Sequence, residues 1–135
     1  MLERVQRAVR AKDAEKLGEL WEEAEDPFHR CVIAHHMADL QVRAEDELGW
    51  DLRALEAAGE VTDQRVKAHD SALAVRGFYP SLHLNLAASY QKTGDKARAR
   101  SHVAEAQGYL DALAPDAYGD MIRGSLERLA EELGE

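Results

Sequence analysis

Cys31, His35 and Asp39 stand four residues apart, a spacing that puts a thiol, an imidazole and a carboxylate on one stripe of a helix. Those are the parts of an activated cysteine, because an imidazole beside a thiol can hold it as the thiolate. With His36 and His29 close by, and a further ligand such as His83 from another helix, the same groups could hold zinc or another transition metal. A single helix is a poor scaffold for either chemistry. Its interior offers no free amides for an oxyanion hole, and the spacing matches no metal signature. The favoured expectation is a semi-polar wall with His35 hydrogen bonded to Asp39. On that expectation there is no catalytic residue, metal or cofactor, and no enzyme is expected. A metal-binding or thiol enzyme at Cys31, His35 and Asp39 is the lesser alternative.

Other chemistry-bearing residues read as structural. His69 sits with Val66 and Leu73, and His83 falls among Leu82, Leu84 and Leu86, the setting of core-edge histidines bonded to a neighbour. Trp21 and Trp50 belong to second helices of hairpins, where aromatic bulk fills a core; Trp50, between Gly49 and Asp51, becomes an interface candidate if exposed. The basic run Lys92, Lys96, Arg98 and Arg100 has no interleaved aromatics, so single-stranded nucleic acid is not expected. No glycine-rich phosphate loop, Ser-His-Asp arrangement or metalloprotease helix is present.

At 135 residues the chain is expected to form one domain with its own core. The net charge of −9 argues against nucleic-acid binding, which rests on clustered cations. Charge is nevertheless uneven: residues 64 to 100 carry seven basic side chains against Asp70 and Asp95, and the acidic excess lies elsewhere. Such polarity can steer an acidic partner or pair two copies head to tail. One cysteine cannot form an internal disulfide, and "MLERVQRAVRAKDAEKL" has charges throughout instead of an apolar signal core, so a cytoplasmic location is expected. No apolar run approaches the roughly 18 residues of a membrane span, and no membrane partner is expected.

Apolar residues recur at intervals of three and four throughout, which predicts an all-α fold of about seven to eight helices. Pro27, Pro80 and Pro115 each read as helix openers, with Asp26 an N-cap before Pro27. The expected hairpins span about 2–25, 27–58 and 80–113. A separate or continuing helix covers about 62–76, and a capping helix about 115–133. Gly59 is expected to end the helix that turns Leu48, Leu52 and Leu55 inward, and Gly94 the one before "GD".

In "FYPSLHLNLAASYQKTGDKARA", Leu86, Ala87, Tyr90, Gly94, Asp95 and Ala99, followed by Ala106, stand at the places of a helix-turn-helix unit, which resembles the tetratricopeptide repeat. Physically, Ala87 and Ala99 let two helices cross closely, Tyr90 fills the space beyond them, and Gly94 permits a left-handed turn. Residues 2–25 fit a shortened unit with "KD" at its turn, and 27–58 a unit with a longer turn.

The resemblance implies a right-handed superhelix of antiparallel hairpins with a C-terminal cap. It also implies a function: a protein or peptide partner bound in the concave groove lined by first helices. Carried onto this chain, that groove would be lined by Cys31, His35 and Asp39 of one helix and Ser81, Leu84, Asn85, Ala88, Gln91 and Lys92 of another. Asn85 matches the asparagine that holds a peptide carboxylate in some family members. Leu2, Gln6, Cys31 and His35 replace the accompanying lysines, so a carboxylate clamp is not expected and a peptide groove of another chemistry stays open. The rival expectation is a self-associating structural module, a homodimer paired through the basic segment.

Overall fold

The computed structural model describes the backbone of residues 1–64 and 69–134, and side chains for residues 1–61 and 76–134. The described residues are helical, with no strand among them: α1 (Leu2–Arg10), α2 (Ala14–Glu23), α3 (Pro27–Asp39), α4 (Ala44–Gln64), α5 (His69–Lys92), α6 (Lys96–Gly108), a 3-10 turn (Leu110–Ala112) and α7 (Ala117–Leu133). Among the described residues, no helix is long and apolar enough to cross a membrane. The chain divides into two compact units, Met1–Ala72 and Leu73–Glu135.

Local chemistry accounts for where most helices start. Asp13, Asp26, Asp95 and Asp116 each stand just before a helix and accept a backbone N–H from Lys16, Phe28, Arg98 and Gly119, at 3.0, 2.9, 3.0 and 2.8 Å. Each bond satisfies a donor that the first helical turn leaves unpaired. Pro27 occupies the first turn of α3, where its missing N–H costs nothing.

The other two prolines behave differently from expectation. Pro115 precedes the Asp116 cap instead of opening α7. Pro80 lies inside α5, which starts at His69 and runs through Gly77. An interior proline removes one helical hydrogen bond, at a cost of roughly 3 kcal/mol; here its ring is fully buried, which offsets part of that loss. Gly59 does not end its helix either, since α4 continues to Gln64. Of the helix expected over about 62–76, residues 65–68 lie outside the described residues, while 62–64 belong to α4 and 69–76 to α5.

In the first unit, α3 packs most extensively on α4 and also touches α1 and α2. The buried face of α4 is Ala54, Ala57, Ala58 and Val61, not the expected leucines: Leu48 and Leu55 are half-buried and Leu52 is 41% exposed. Small side chains let helix backbones approach, and α3 contributes Ala34 and Ala38 to the same core. Val5, Leu17, Leu20 and Ile33 complete it, all fully buried.

In the second unit, Ala87, Ala99, Val103, Ala106, Leu113, Ile122, Leu126, Leu129 and Leu133 form one cluster, with Leu84, Ala88 and Tyr90 packed on it half-buried. The α5–α6 turn places Gly94 at φ +88°. The Asp95 N–H reaches the Tyr90 carbonyl at 2.8 Å and the Gly94 N–H reaches Gln91 at 3.1 Å, the bond pair of a Schellman ending. The α1–α2 turn repeats it. Lys12 takes the left-handed place at φ 53°, the Asp13 N–H bonds Ala8 at 3.0 Å and the Lys12 N–H bonds Val9 at 3.0 Å. The two "D"-capped turns thus share one backbone path, once with glycine and once with lysine.

Candidate functional site

The α5 stripe and one face of α7 border a shallow, open hollow of about 340 Å³ lined by Leu84, Asn85, Ala88, Gln91, Ser125, Arg128, Leu129 and Glu132. Helical spacing explains the two walls. Residues 84, 85, 88 and 91 share one face of α5, and 125, 128, 129 and 132 share one face of α7, each set spaced by helical steps of three and four. Leu84, Ala88 and Leu129 supply apolar surface, and the short Ala88 side chain leaves room between the helices. The rim is polar. The Gln91 amide donates to the Glu132 carboxylate at 3.0 Å, and the Arg128 guanidinium donates to the Ser125 hydroxyl at 3.1 Å. Both contacts lie at the exposed edge, where water or a ligand can replace them at small cost.

Two residues expected on this stripe have other places. Ser81 is buried, 4% exposed, and its hydroxyl shares a hydrogen bond with the Tyr118 hydroxyl, tying α5 to the start of α7. Lys92 is exposed in the last turn of α5 and is not among the residues lining the hollow. The α7 wall escaped sequence reading, which took residues 115–133 only as a capping helix. The available signal was only that 125, 128, 129 and 132 fall on one face of a helix.

In the first unit, Cys31, His35 and Asp39 run from core to surface along α3. Cys31 is fully buried, His35 half-buried and Asp39 exposed. Burial pushes the Cys31 thiol up to about 12, so the thiolate needed for nucleophilic or ligand chemistry is disfavoured. Burial likewise lowers the pKa of His35, His36 adds to that shift, and Asp39 opposes it. Asp39 lines a different hollow, of about 530 Å³, with Val9, Lys12, His36 and Leu40. Among the described residues no group of three or more histidine, cysteine, aspartate or glutamate side chains is disposed to hold a metal. Trp50 is half-buried and packs edge to face on Trp21.

No protein-family model matches the chain, and no curated protein or solved structure does.

Proposed function

We propose that this chain is an interaction module that takes a peptide or a segment of a partner protein in the groove between α5 and α7. The observation that carries the reading is the make-up of that hollow: an apolar floor of Leu84, Ala88 and Leu129, bordered by the side chains of Asn85, Gln91, Ser125, Arg128 and Glu132. Apolar surface contributes binding energy, while amide, hydroxyl and charged groups of both signs can pair with a backbone and set its direction. Its volume, about 340 Å³, is the size of a few side chains and suits an anchor segment more than a whole folded surface. The tetratricopeptide resemblance supports the same use of the α5 face. We extend the reading to a tetratricopeptide-like series of hairpins, with α1–α2 and α5–α6 sharing their turn chemistry. A single cysteine held as a buried thiol suits a reducing compartment, and we assign the module to the cytoplasm.

A displayed peptide library selected on the immobilised protein tests the reading. Selected peptides are expected to bind wild type and to lose at least about tenfold in affinity to Ala88→Arg, which fills the hollow without touching the helix termini. Circular dichroism must first show that the variant keeps its helices. Peptides that bind both proteins equally, or a selection that yields none above background, would remove the groove as the binding site.

A further inference from the structure

Where α5 meets α6, five rings gather in one cluster. Tyr109 stacks on Tyr79 with centroids 4.8 Å apart, and both stack on His83 at 6.0 Å. His83 stacks on His102 at 5.2 Å, and His102 on Tyr90 at 5.5 Å. The guanidinium groups of Arg76 and Arg98 lie over the outer rings, Tyr109 at 5.8 Å and Tyr90 at 6.0 Å. His83 is 6% exposed, and its Nδ1 lies 2.9 Å from the Nδ1 of His102.

Two ring nitrogens at that distance need one proton between them. If both were bare, their lone pairs would repel; if both carried hydrogen, the hydrogens would collide. In the uncharged pair, one imidazole therefore donates Nδ1–H and the other, protonated at Nε2, accepts. A first added proton is compatible with the contact, because an imidazolium can still donate Nδ1–H to a neutral partner. A second is not: two imidazolium rings must present N–H to N–H as well as charge to charge.

We infer that His83 and His102 form a proton-counting latch on the α5–α6 hairpin, which holds while the pair carries at most one positive charge and parts when both rings are charged. The surroundings set its poise. On α6, Glu105 favours protonation of both histidines. Arg76 and Arg98 add positive charge over Tyr109 and Tyr90; Arg76 also pairs with Asp111 at 3.3 Å and Arg98 with Asp95 at 2.6 Å, which temper that charge. Tyr79, Tyr90 and Tyr109 contribute neutral faces. Burial is the largest influence on each histidine and lowers both pKa values, His102 lowers that of His83 further, and Glu105 opposes the shift. The fold thus prefers the less protonated pair. Its stabilisation is complete above the ordinary histidine value of 6.5 and is lost as pH falls through that value towards the depressed ones.

Nitrogen–proton correlation NMR of the imidazoles in the whole chain, from about pH 8 to about pH 4.5, tests the latch. At the upper end, His83 and His102 are expected as opposite tautomers. On acidification they should take up protons in two steps more than about one pH unit apart, with α5 and α6 amide shifts dispersing at the second. His102→Phe keeps a ring in the cluster and removes one proton site, so His83 should titrate in one step and the second, disruptive one should vanish. Matching tautomers in wild type, single independent steps, or loss of the hairpin at the same pH in wild type and variant would overturn the inference. Should the variant fail to fold, the wild-type tautomers and step separation decide it alone.

Discussion

Trp21 and Trp50 meet edge to face, with ring centroids 5.2 Å apart. Arg30 lies 3.7 Å from the centroid of Trp21 and Arg53 4.4 Å from that of Trp50, so each indole face carries a guanidinium. Arg30 also donates from Nη1 to the carbonyls of Trp21 and Ala24, both at 3.1 Å, covering the end of α2 with a cation. This contact binds α2 to α4. Trp50→Ala is expected to destabilise the first unit by about 2–3 kcal/mol, less than a fully buried ring because Trp50 is half-exposed. Urea unfolding followed by circular dichroism measures the loss, and a midpoint equal to wild type would contradict it.

The twin turns make opposite predictions for their left-handed residues. Lys12 holds φ 53°, a conformation that costs an L-residue about 1 kcal/mol or more and glycine almost nothing. Lys12→Gly should therefore raise stability by roughly 0.5–1 kcal/mol, and Gly94→Ala should lower it by a comparable amount. Thermal unfolding of the two variants side by side provides the comparison. Shifts of the same sign would refute the shared geometry.

Gly119 and Gly18 divide the same way for a different reason. A Cβ at 119 would collide with the carbonyl oxygen of Ala114, whereas one at 18 would meet nothing within 4 Å. Gly119→Ala is expected to cost about 1–3 kcal/mol even though alanine favours a helix. Gly18→Ala, inside α2, should stabilise by about 0.5–1 kcal/mol. Chemical denaturation of each variant checks both signs.

Along α3, the rings of His35 and His36 lie edge to face at 5.2 Å. Burial is the main cause lowering both pKa values, and Asp39 raises both. The folded unit favours neutral rings, so their stabilisation is full above the ordinary value of 6.5 and is lost as pH falls through it towards the lowered ones. Asp39→Asn removes the carboxylate that supports protonation and should lower both midpoints further. An imidazole titration by NMR in which the midpoints stay in place or rise would count against this account.

What was readable in the sequence was chiefly local. The cap at Asp26 and the turn at Gly94 depend on a few neighbouring atoms, and residue type alone reveals them. The burial of Ala87, Ala99 and Ala106 follows from helical spacing. Pro80 was misread because the rule that places proline at a helix start knows nothing of the core that buries its ring. On α4, hydrophobicity pointed to Leu48, Leu52 and Leu55, whereas helix packing selected Ala54, Ala57 and Ala58 for their size. The groove divides similarly. Its α5 wall shares one helix and was legible, but Ser125, Arg128 and Glu132 join it only through tertiary packing. Ser81 left the stripe because Tyr118, distant in sequence, offers its hydroxyl a partner.

Cys31 is the sole cysteine, fully enclosed, and its thiol stays protonated at neutral pH. An alkylating reagent, which consumes the thiolate, therefore meets it only during excursions in which the Met1–Ala72 unit comes apart. The rate of its modification becomes an intrinsic clock for those excursions, read without any engineered label. The same seclusion leaves the outer surface bare of thiols, so a cysteine introduced there would be a unique address for a fluorophore or a spin label.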